Sequence, residues 1–367
     1  MIKILYTIPN FDTAGSGKAL FNVAKNLDKK KYNPHICCAH DRGKFFKVVR
    51  ASSIPIYIHE TTHNMIPRIY GMLRCLQLAK YFKVLGVDLI HSFHYGPDYS
   101  EALAAKFAGI PWVYTKKNMN WGGKSKNGWK LRTLFANHIL AQNTDMYNEF
   151  FPKLKKISLV PRGVDIDEFK PREGCKKLIK KYNIKSNEKI IICVANLHPV
   201  KGVETLLEAF ELLLNKLDNI RLFIVGEKQI DYARNLQKKV KHLSNIHFTG
   251  KVFNVKDYYS IASLFVLPTK NHGRREGCPV ALLEALACGL EVFSSDVSGI
   301  RDVLKEFPLN LFDSGNSSDL SNKIFEFFKD DDFKSNSNLL SHVRKNYNIN
   351  VEAKNHEKIY DRVLSKR

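Results

Sequence analysis

Two glutamates eight positions apart, Glu276 and Glu284, stand in the stretch GRREGCPVALLEALACG, residues 273–289. The first lies among glycine, arginine, cysteine and proline. The second is flanked by Ala281, Leu282, Leu283, Ala285 and Leu286. Pro279 is a favourable first helical residue, so the spacing predicts a helix that starts there, with Glu276 in the loop before it. The backbone N–H groups that follow Gly277 then suit a phosphate. A helix this apolar all round is expected to be buried, and a buried carboxylate needs hydrogen-bond donors. Paired sugar hydroxyls would serve Glu284. Two other junctions carry comparable chemistry. In VANLHPVKGVETLLEAF, Lys201 and Gly202 stand just before a helix. A lysine there opposes the positive end of the helix dipole unless an anion sits between them. In PNFDTAGSGKALFNVAKNL, Gly15, Ser16 and Gly17 separate a strand from a helix, and glycines let backbone approach a ligand. The loop is not of the Walker A type, which needs glycine at the Asp12 position and serine or threonine at the Ala19 position.

The elements that must position these residues alternate in type. Short apolar runs at 2–8, 33–38, 54–58, 87–91 and 111–115 predict strands, and helices are predicted over 16–28, 42–51, 66–85 and 98–108. The rhythm stalls in a basic loop at 116–130 and resumes with HILAQN and KISLVPRGVD. A lysine-rich stretch at 170–188 follows. A second series then opens with strands at 189–195, 220–225, 246–249, 264–268 and 290–294 and helices at 203–216, 229–243, 254–262 and 279–288. Such alternation builds parallel sheets covered by helices on both faces. The fold class is therefore α/β with two Rossmann-like halves, assigned to 1–168 and 169–349, and the charged helix at 350–367 is expected to pack back on the first half. Ligands of such sheets bind at the carboxyl ends of strands, where all three junctions lie.

The chain of 367 residues exceeds one ordinary hydrophobic core. Its seven cysteines show no CxxC pair, which reads as buried thiols in a reducing cytosol rather than a disulfide framework or zinc site. The start MIKILYTIP reads as a strand, not a signal peptide. No apolar run approaches the ~18 residues of a membrane span. Net charge is +22, and residues 1–165 hold 25 Lys and Arg against 10 Asp and Glu. That excess attracts phosphates. No nucleic-acid-binding motif accompanies it, so no nucleic acid partner is expected. The loop 115–132, with six Lys or Arg and two Trp, and the basic helix around 65–83 suggest contact with anionic lipid headgroups or a lipid-linked diphosphate.

The glutamate pair, the stretch FTGKVFNVKDYYSIASLFVLPT, the turn SSDVSGIRDVL, VPRGVD at 160–165 and the glycine loop resemble, in that set, the retaining glycosyltransferases of family 4, whose fold is GT-B. The resemblance covers most of the chain and is strongest over 155–304. It implies two Rossmann-like domains facing a cleft, a nucleotide-sugar co-substrate, and no metal or other cofactor; no DxD-type cluster is found that would hold a metal. It implies that Glu284 holds the ribose hydroxyls, Glu276 the donor sugar and Lys201 the diphosphate. Gly15 and Ser16 would admit the phosphates, with the backbone of Gly277, Cys278, Pro279 and Val280 completing the cradle. The backbone of Lys251, Val252 and Phe253 would receive the base. A histidine after the fourth strand faces the sugar in the family. His91 and His94 both qualify, and His94 is preferred because His91 sits within the apparent strand. The acceptor belongs to the N-terminal half, with Lys18, His91, Lys117 and Trp121 as candidate contacts.

The resemblance implies transfer with retention, from a UDP-sugar rather than a GDP-sugar, to a glycan or lipid-linked acceptor in surface polysaccharide synthesis. The protein would be cytoplasmic and peripheral on the inner membrane face. Departures exist. Asn196 replaces the family's usual arginine in the donor site, and Arg274 or Arg275 is a candidate substitute. Ala14-Gly15 replaces a glycine pair, and Glu291 replaces a proline. Asn196 keeps open a lapsed enzyme that binds nucleotide-sugars without turnover. A GT-B sugar-nucleotide epimerase is the other alternative.

Overall fold

The computed structural model describes all residues except 13, 118, 120–125, 273–275, 330–336 and 367. The chain divides into two compact units, residues 1–163 with 349–367, and residues 164–348.

The first unit alternates β1 (Ile2–Ile8), α1 (Ala14–Asn26), β2 (Tyr32–Cys38), α2 (Lys44–Arg50), β3 (Ile56–Ile58), α3 (Arg68–Leu85), β4 (Leu89–Ser92), α4 (Ser100–Ala108), β5 (Trp112–Lys116), α5 (Lys126–Phe135), β6 (His138–Ala141), α6 (Thr144–Phe150) and β7 (Ile157–Leu159). The seven strands form one parallel sheet in the order β3-β2-β1-β4-β5-β6-β7. Alternate residues serve opposite cores, because strand side chains point to opposite faces. Ile4, Tyr6, Val113 and Leu140 enter one apolar cluster, and Leu5, Ile90, Trp112 and Tyr114 enter the other. Both faces being covered is why these strands read as continuous apolar runs.

The second unit runs α7 (Lys176–Tyr182), β8 (Lys189–Val194), α8 (Val203–Leu214), β9 (Ile220–Val225), α9 (Asp231–Lys239), β10 (Ile246–Gly250), α10 (Val255–Tyr259), β11 (Leu264–Leu267), α11 (Val280–Ala287), β12 (Glu291–Ser295), α12 (Ile300–Val303), β13 (Leu311–Phe312), α13 (Ser317–Phe328) and α14 (Ser337–Asn346). Its parallel sheet has the order β10-β9-β8-β11-β12-β13. Ile190 and Ile192 face one core, Ile191 and Cys193 the other.

The chain returns to the first unit with α15 (Ile349–Leu364). Ile349, Ile359, Tyr360 and Val363 enter the core beside β1 and α1. The Tyr360 hydroxyl lies 2.9 Å from that of Tyr6. The division falls at 163/164 rather than at the expected 168/169. Val164 and Phe169 both pack into the core of the second unit, and the Val164 N–H donates to the Tyr347 carbonyl at 2.7 Å.

Two stretches in which no helix was expected contain one. Residues 116–130 were expected to be loop, but α5 begins at Lys126 and buries Gly128, Trp129 and Arg132. Helix α7 occupies the lysine-rich stretch and buries only Leu178.

Candidate functional site

In the second unit, β8 ends at Val194 and leads through a short 3₁₀ turn, Pro199–Lys201, into α8. Gly202 joins the two with φ +60°, a left-handed conformation that favours glycine. A Cβ there would stand 2.1 Å from the Pro268 carbonyl oxygen, so the turn lies directly against the segment that follows β11. The Lys270 N–H donates to the Val200 carbonyl at 2.8 Å and ties the same two segments. Further along that segment is Glu276, and its carboxylate contacts the Lys201 ammonium. Both side chains are about one-fifth exposed, at 20% and 17%. Two residues 75 positions apart, singled out from separate junctions, thus meet at the carboxyl ends of neighbouring strands β8 and β11. Glu204 and Lys270 form a second ion pair beside them, and the Tyr232 hydroxyl donates to Glu204.

Glu284 lies on α11, which is buried along its length as the apolar run predicts. Its side chain is 8% exposed and accepts from the Tyr259 hydroxyl at 3.4 Å. Pro279 caps α11, and Val280 is its first residue. Gly277 is buried and Cys278 half-buried in the approach to it. Asn196 is exposed on the loop after β8. Lys251 is exposed after β10, Val252 packs on the core, and Phe253 is 96% exposed. The candidate substitutes Arg274 and Arg275 lie outside the described residues.

In the first unit the expected residues gather at the carboxyl ends of β1, β4 and β5, which are adjacent in the sheet. Helix α1 begins at Ala14, so Gly15 and Ser16 belong to its first turn rather than to a preceding loop. Gly15 is exposed, and a Cβ there would meet nothing within 4 Å. Gly17 is buried against the Phe11 ring. The Ser16 hydroxyl contacts the Tyr95 hydroxyl, and the Lys117 ammonium lies over the Tyr95 ring while donating to the Phe93 carbonyl. Lys18 is half-buried on α1. Trp121 lies outside the described residues.

His94 follows β4 and is 8% exposed. Its Nε2 is 3.0 Å from the Thr61 hydroxyl and 3.7 Å from the Glu101 carboxylate. Burial pushes its pKa down to about 4, with Glu101 opposing and Arg132 and Lys117 reinforcing. The imidazole is therefore neutral near pH 7. Burial alone would raise the Glu101 pKa, but the polar surroundings of His94, Ser92, Thr7 and Thr61 outweigh it and lower it, and the Trp112 indole N–H donates to its carboxylate at 3.1 Å. Arg132 is a buried cation near Glu101 and Asp98. It donates to the Asp98 carbonyl at 2.8 Å and packs on Trp112, Tyr114 and Trp129.

His91 is placed differently from the expectation of an acceptor contact. It is wholly buried, with Nδ1 2.7 Å from the Tyr360 hydroxyl and Nε2 2.8 Å from the Thr115 hydroxyl. Both ring nitrogens are engaged, so His91 anchors α15 and is not presented to a ligand. Its place in β4, where side chains alternate between the two cores, decides this. Sequence reasoning missed Thr61, Glu101 and Arg132, which hold His94. It also missed Lys116, buried beneath Trp129 and Phe150, whose pKa burial lowers to about 7.

Helix α3 differs from a simple amphipathic element. Gly71, Cys75, Leu78, Ala79 and Phe82 face the core, yet the outward face carries Ile69, Tyr70, Leu73 and Leu76, all more than two-fifths exposed, beside exposed Arg68, Arg74 and Lys80. No helix among the described residues is long and apolar enough to cross a membrane.

Known proteins resemble this chain in sequence and fold. Residues 175–346 match the family described as Glycosyl transferases group 1, and residues 13–168 match Glycosyltransferase Family 4. A similar protein of Campylobacter jejuni is 24% identical over 93% of this chain and 94% of its own length. It is an N,N'-diacetylbacillosaminyl-diphospho-undecaprenol alpha-1,3-N-acetylgalactosaminyltransferase. A glycosyltransferase structure from Rickettsia africae superposes with a TM-score of 0.86 at 20% identity, covering 100% of this chain and 99% of that one. Anabaena HepE in complex with UDP and glucose superposes with a TM-score of 0.81 at 17% identity, covering 98% and 100%.

Proposed function

Because the chain belongs to the family-4-like glycosyltransferases of the GT-B fold, we propose that it moves a sugar from UDP to a lipid-linked diphosphate acceptor, with retention at the anomeric carbon. The observation that carries the donor site is the contact between Lys201 and Glu276. On donor binding, the ammonium turns from the carboxylate to the diphosphate and Glu276 takes hydroxyls of the donor sugar. Glu284 takes the ribose hydroxyls from its place on α11. The N–H groups from Gly277 to Val280, except that of Pro279, cradle the diphosphate, and the backbone of Lys251 to Phe253 receives the base.

The reaction breaks the bond between the anomeric carbon and the diphosphate oxygen and forms one to an acceptor oxygen. Negative charge grows on the leaving diphosphate. A preorganised cation and N–H groups aimed there lower the barrier, and one such group commonly contributes about 10²–10³ in rate. Neutral His94 donates or accepts a hydrogen bond at the sugar without bringing charge. Gly15 and Ser16 leave room at the start of α1 for the phosphates. Lys18 and Lys117 meet the acceptor's diphosphate. The transfer is taken as metal-free, with Lys201 and the N–H groups in place of a metal ion.

UDP is favoured by the likeness to HepE, and the lipid-linked acceptor by the Campylobacter relative. The exposed apolar residues of α3, edged by arginine and lysine, suit the surface of an anionic bilayer. We place the protein on the cytoplasmic membrane face on that basis. The test is incubation with UDP-sugars and an undecaprenyl-diphosphate-linked sugar, in EDTA, with products read by mass spectrometry and the new anomer by NMR. Transfer to the α-anomer supports the reading. UDP binding without turnover by any donor would favour the lapsed enzyme that Asn196 leaves open.

A further inference from the structure

The first unit holds a hollow of about 640 Å³ at the end of its sheet opposite His94 and Lys117. It opens at the amino ends of the strands: Trp112 begins β5, His138 begins β6, and Lys156 immediately precedes β7. His94 and Lys117 lie at the opposite, carboxyl ends of the same sheet. Five residues of β5 separate the two edges, ~13 Å at the usual rise per strand residue.

Its walls carry five cations, Lys106, Lys155, Lys156, Arg362 and Lys366, and no carboxylate. The rest is apolar or backbone, from Ile110, Pro111 and Val363 among others. None of the five is in an ion pair among the described residues, whereas Lys31, Lys201, Lys256 and Lys270 are each paired with a carboxylate. Lys106 does lie over the Phe135 ring. Lys156 is half-buried and fixed, its ammonium donating to the Leu134 and Ala136 carbonyls at 2.9 and 2.6 Å. His138, buried beside them, bonds the Ser158 hydroxyl at 2.9 Å. Burial, then Arg362, Lys366 and Lys156, push its pKa down to about 4. The hollow therefore carries its positive charge on five residues drawn from three separate segments. Like charges so gathered repel one another, and the arrangement is relieved by a multivalent anion.

We propose that this hollow binds a phosphate-bearing ligand, separate from the nucleotide-sugar and acceptor sites. Its volume admits a group of nucleotide size. The shared chemistry is a phosphate or diphosphate. The source is either a soluble phosphorylated molecule or the headgroup of an anionic lipid, and the same variant separates them. The inference stands apart from the proposed transferase reading, because none of its residues takes part in that chemistry.

The experiment uses the full-length chain and the Lys155→Glu/Lys366→Glu variant, both exposed positions, with folding checked by circular dichroism. Calorimetric titration with sodium pyrophosphate is run in a Lys201→Ala background, which removes the donor-site cation. Cosedimentation with vesicles of phosphatidylglycerol and phosphatidylcholine is run in parallel. A soluble ligand is supported if pyrophosphate binds the Lys201→Ala protein and reversing the two charges weakens it roughly tenfold or more. A lipid headgroup is supported if vesicle binding falls by that factor while pyrophosphate does not bind. Equal pyrophosphate and vesicle binding with and without the reversals overturns the proposal. If the double variant does not fold, the same titrations with Lys106→Glu replace it. Pyrophosphate and vesicle binding that this variant leaves unchanged overturns the proposal equally.

Discussion

Gly202→Ala is the substitution whose effect the structure specifies most sharply. The new methyl would sit 2.1 Å from the Pro268 carbonyl oxygen, against a floor near 3.0 Å for real Cβ contacts. The obstacle is backbone, so it cannot swing aside as a side chain would. The segment after β11 must retreat by about 0.9 Å, and the Lys270 to Val200 hydrogen bond of 2.8 Å spans the same gap. Overpacking of this kind costs ~1–3 kcal/mol. The left-handed φ of +60° adds ~1–2 kcal/mol for a residue with a Cβ. A loss of ~2–5 kcal/mol is expected for the second unit. In urea, with a slope of ~1–3 kcal/mol/M, its unfolding midpoint should fall by ~1 M or more. Gly15→Ala is the control. A Cβ at Gly15 meets nothing within 4 Å and the residue is already in the first turn of α1, so stability should change by less than ~0.5 kcal/mol. Equal, small shifts for both variants would refute the argument from close approach. The Gly202 variant should also bind UDP more weakly, because Lys201 precedes the displaced residue.

Three further outcomes follow from the same geometry. Lys201→Ala should lower kcat by about 10²–10³ with folding intact, measured by steady-state transfer; near-wild-type turnover would remove Lys201 from the mechanism. Arg132→Met should destabilise the first unit by ~2–3 kcal/mol in chemical denaturation, because the Asp98 carbonyl and Ser92 hydroxyl lose its hydrogen bonds and the Glu101 and Asp98 carboxylates lose a nearby cation. Stability should fall on acidification below pH ~6.5. His91 and His94 stay neutral in the fold, with folded pKa values below the unfolded 6.5, so the unfolded chain binds more protons. These two groups contribute a slope of about 3 kcal/mol per pH unit, and His138, whose pKa burial lowers to about 4, adds to it in the same direction. Glu352 runs the other way, because burial raises its pKa to about 7, and it offsets the neighbouring His356, which burial lowers to about 3. A flat pH dependence of urea midpoints between pH 6.5 and 5 would contradict this balance.

The strand and helix order was legible because parallel strands buried on both faces are short apolar runs separated by longer amphipathic segments. It failed where burial was sparse. Helix α5 buries Gly128, Trp129 and Arg132 and leaves its lysines exposed, so its pattern read as a basic loop. Helix α7 offered one buried leucine among five charged or polar neighbours. Glu284 and Lys201 stood out because a carboxylate inside an apolar helix and a lysine before a helix start are each physically odd. The contact of Lys201 with Glu276 was not legible, since it depends on β8 lying beside β11. The supports of His94 were hidden for the same reason. Thr61, Glu101 and Arg132 come from three segments that only the sheet order unites. His91 and His94 differ by strand parity and position, which the run DLIHSFHYGPD indicates but does not decide.

The central claim is that Lys201, Glu276 and Glu284 hold one nucleotide-sugar. Calorimetric titration of UDP into wild type, Glu284→Ala and Lys201→Ala tests it most directly. The account predicts a single site in wild type, weakened tenfold or more by each substitution, with both variants folded. Wild type that binds no UDP, GDP or ADP, or variants that bind UDP as tightly as wild type, would contradict it.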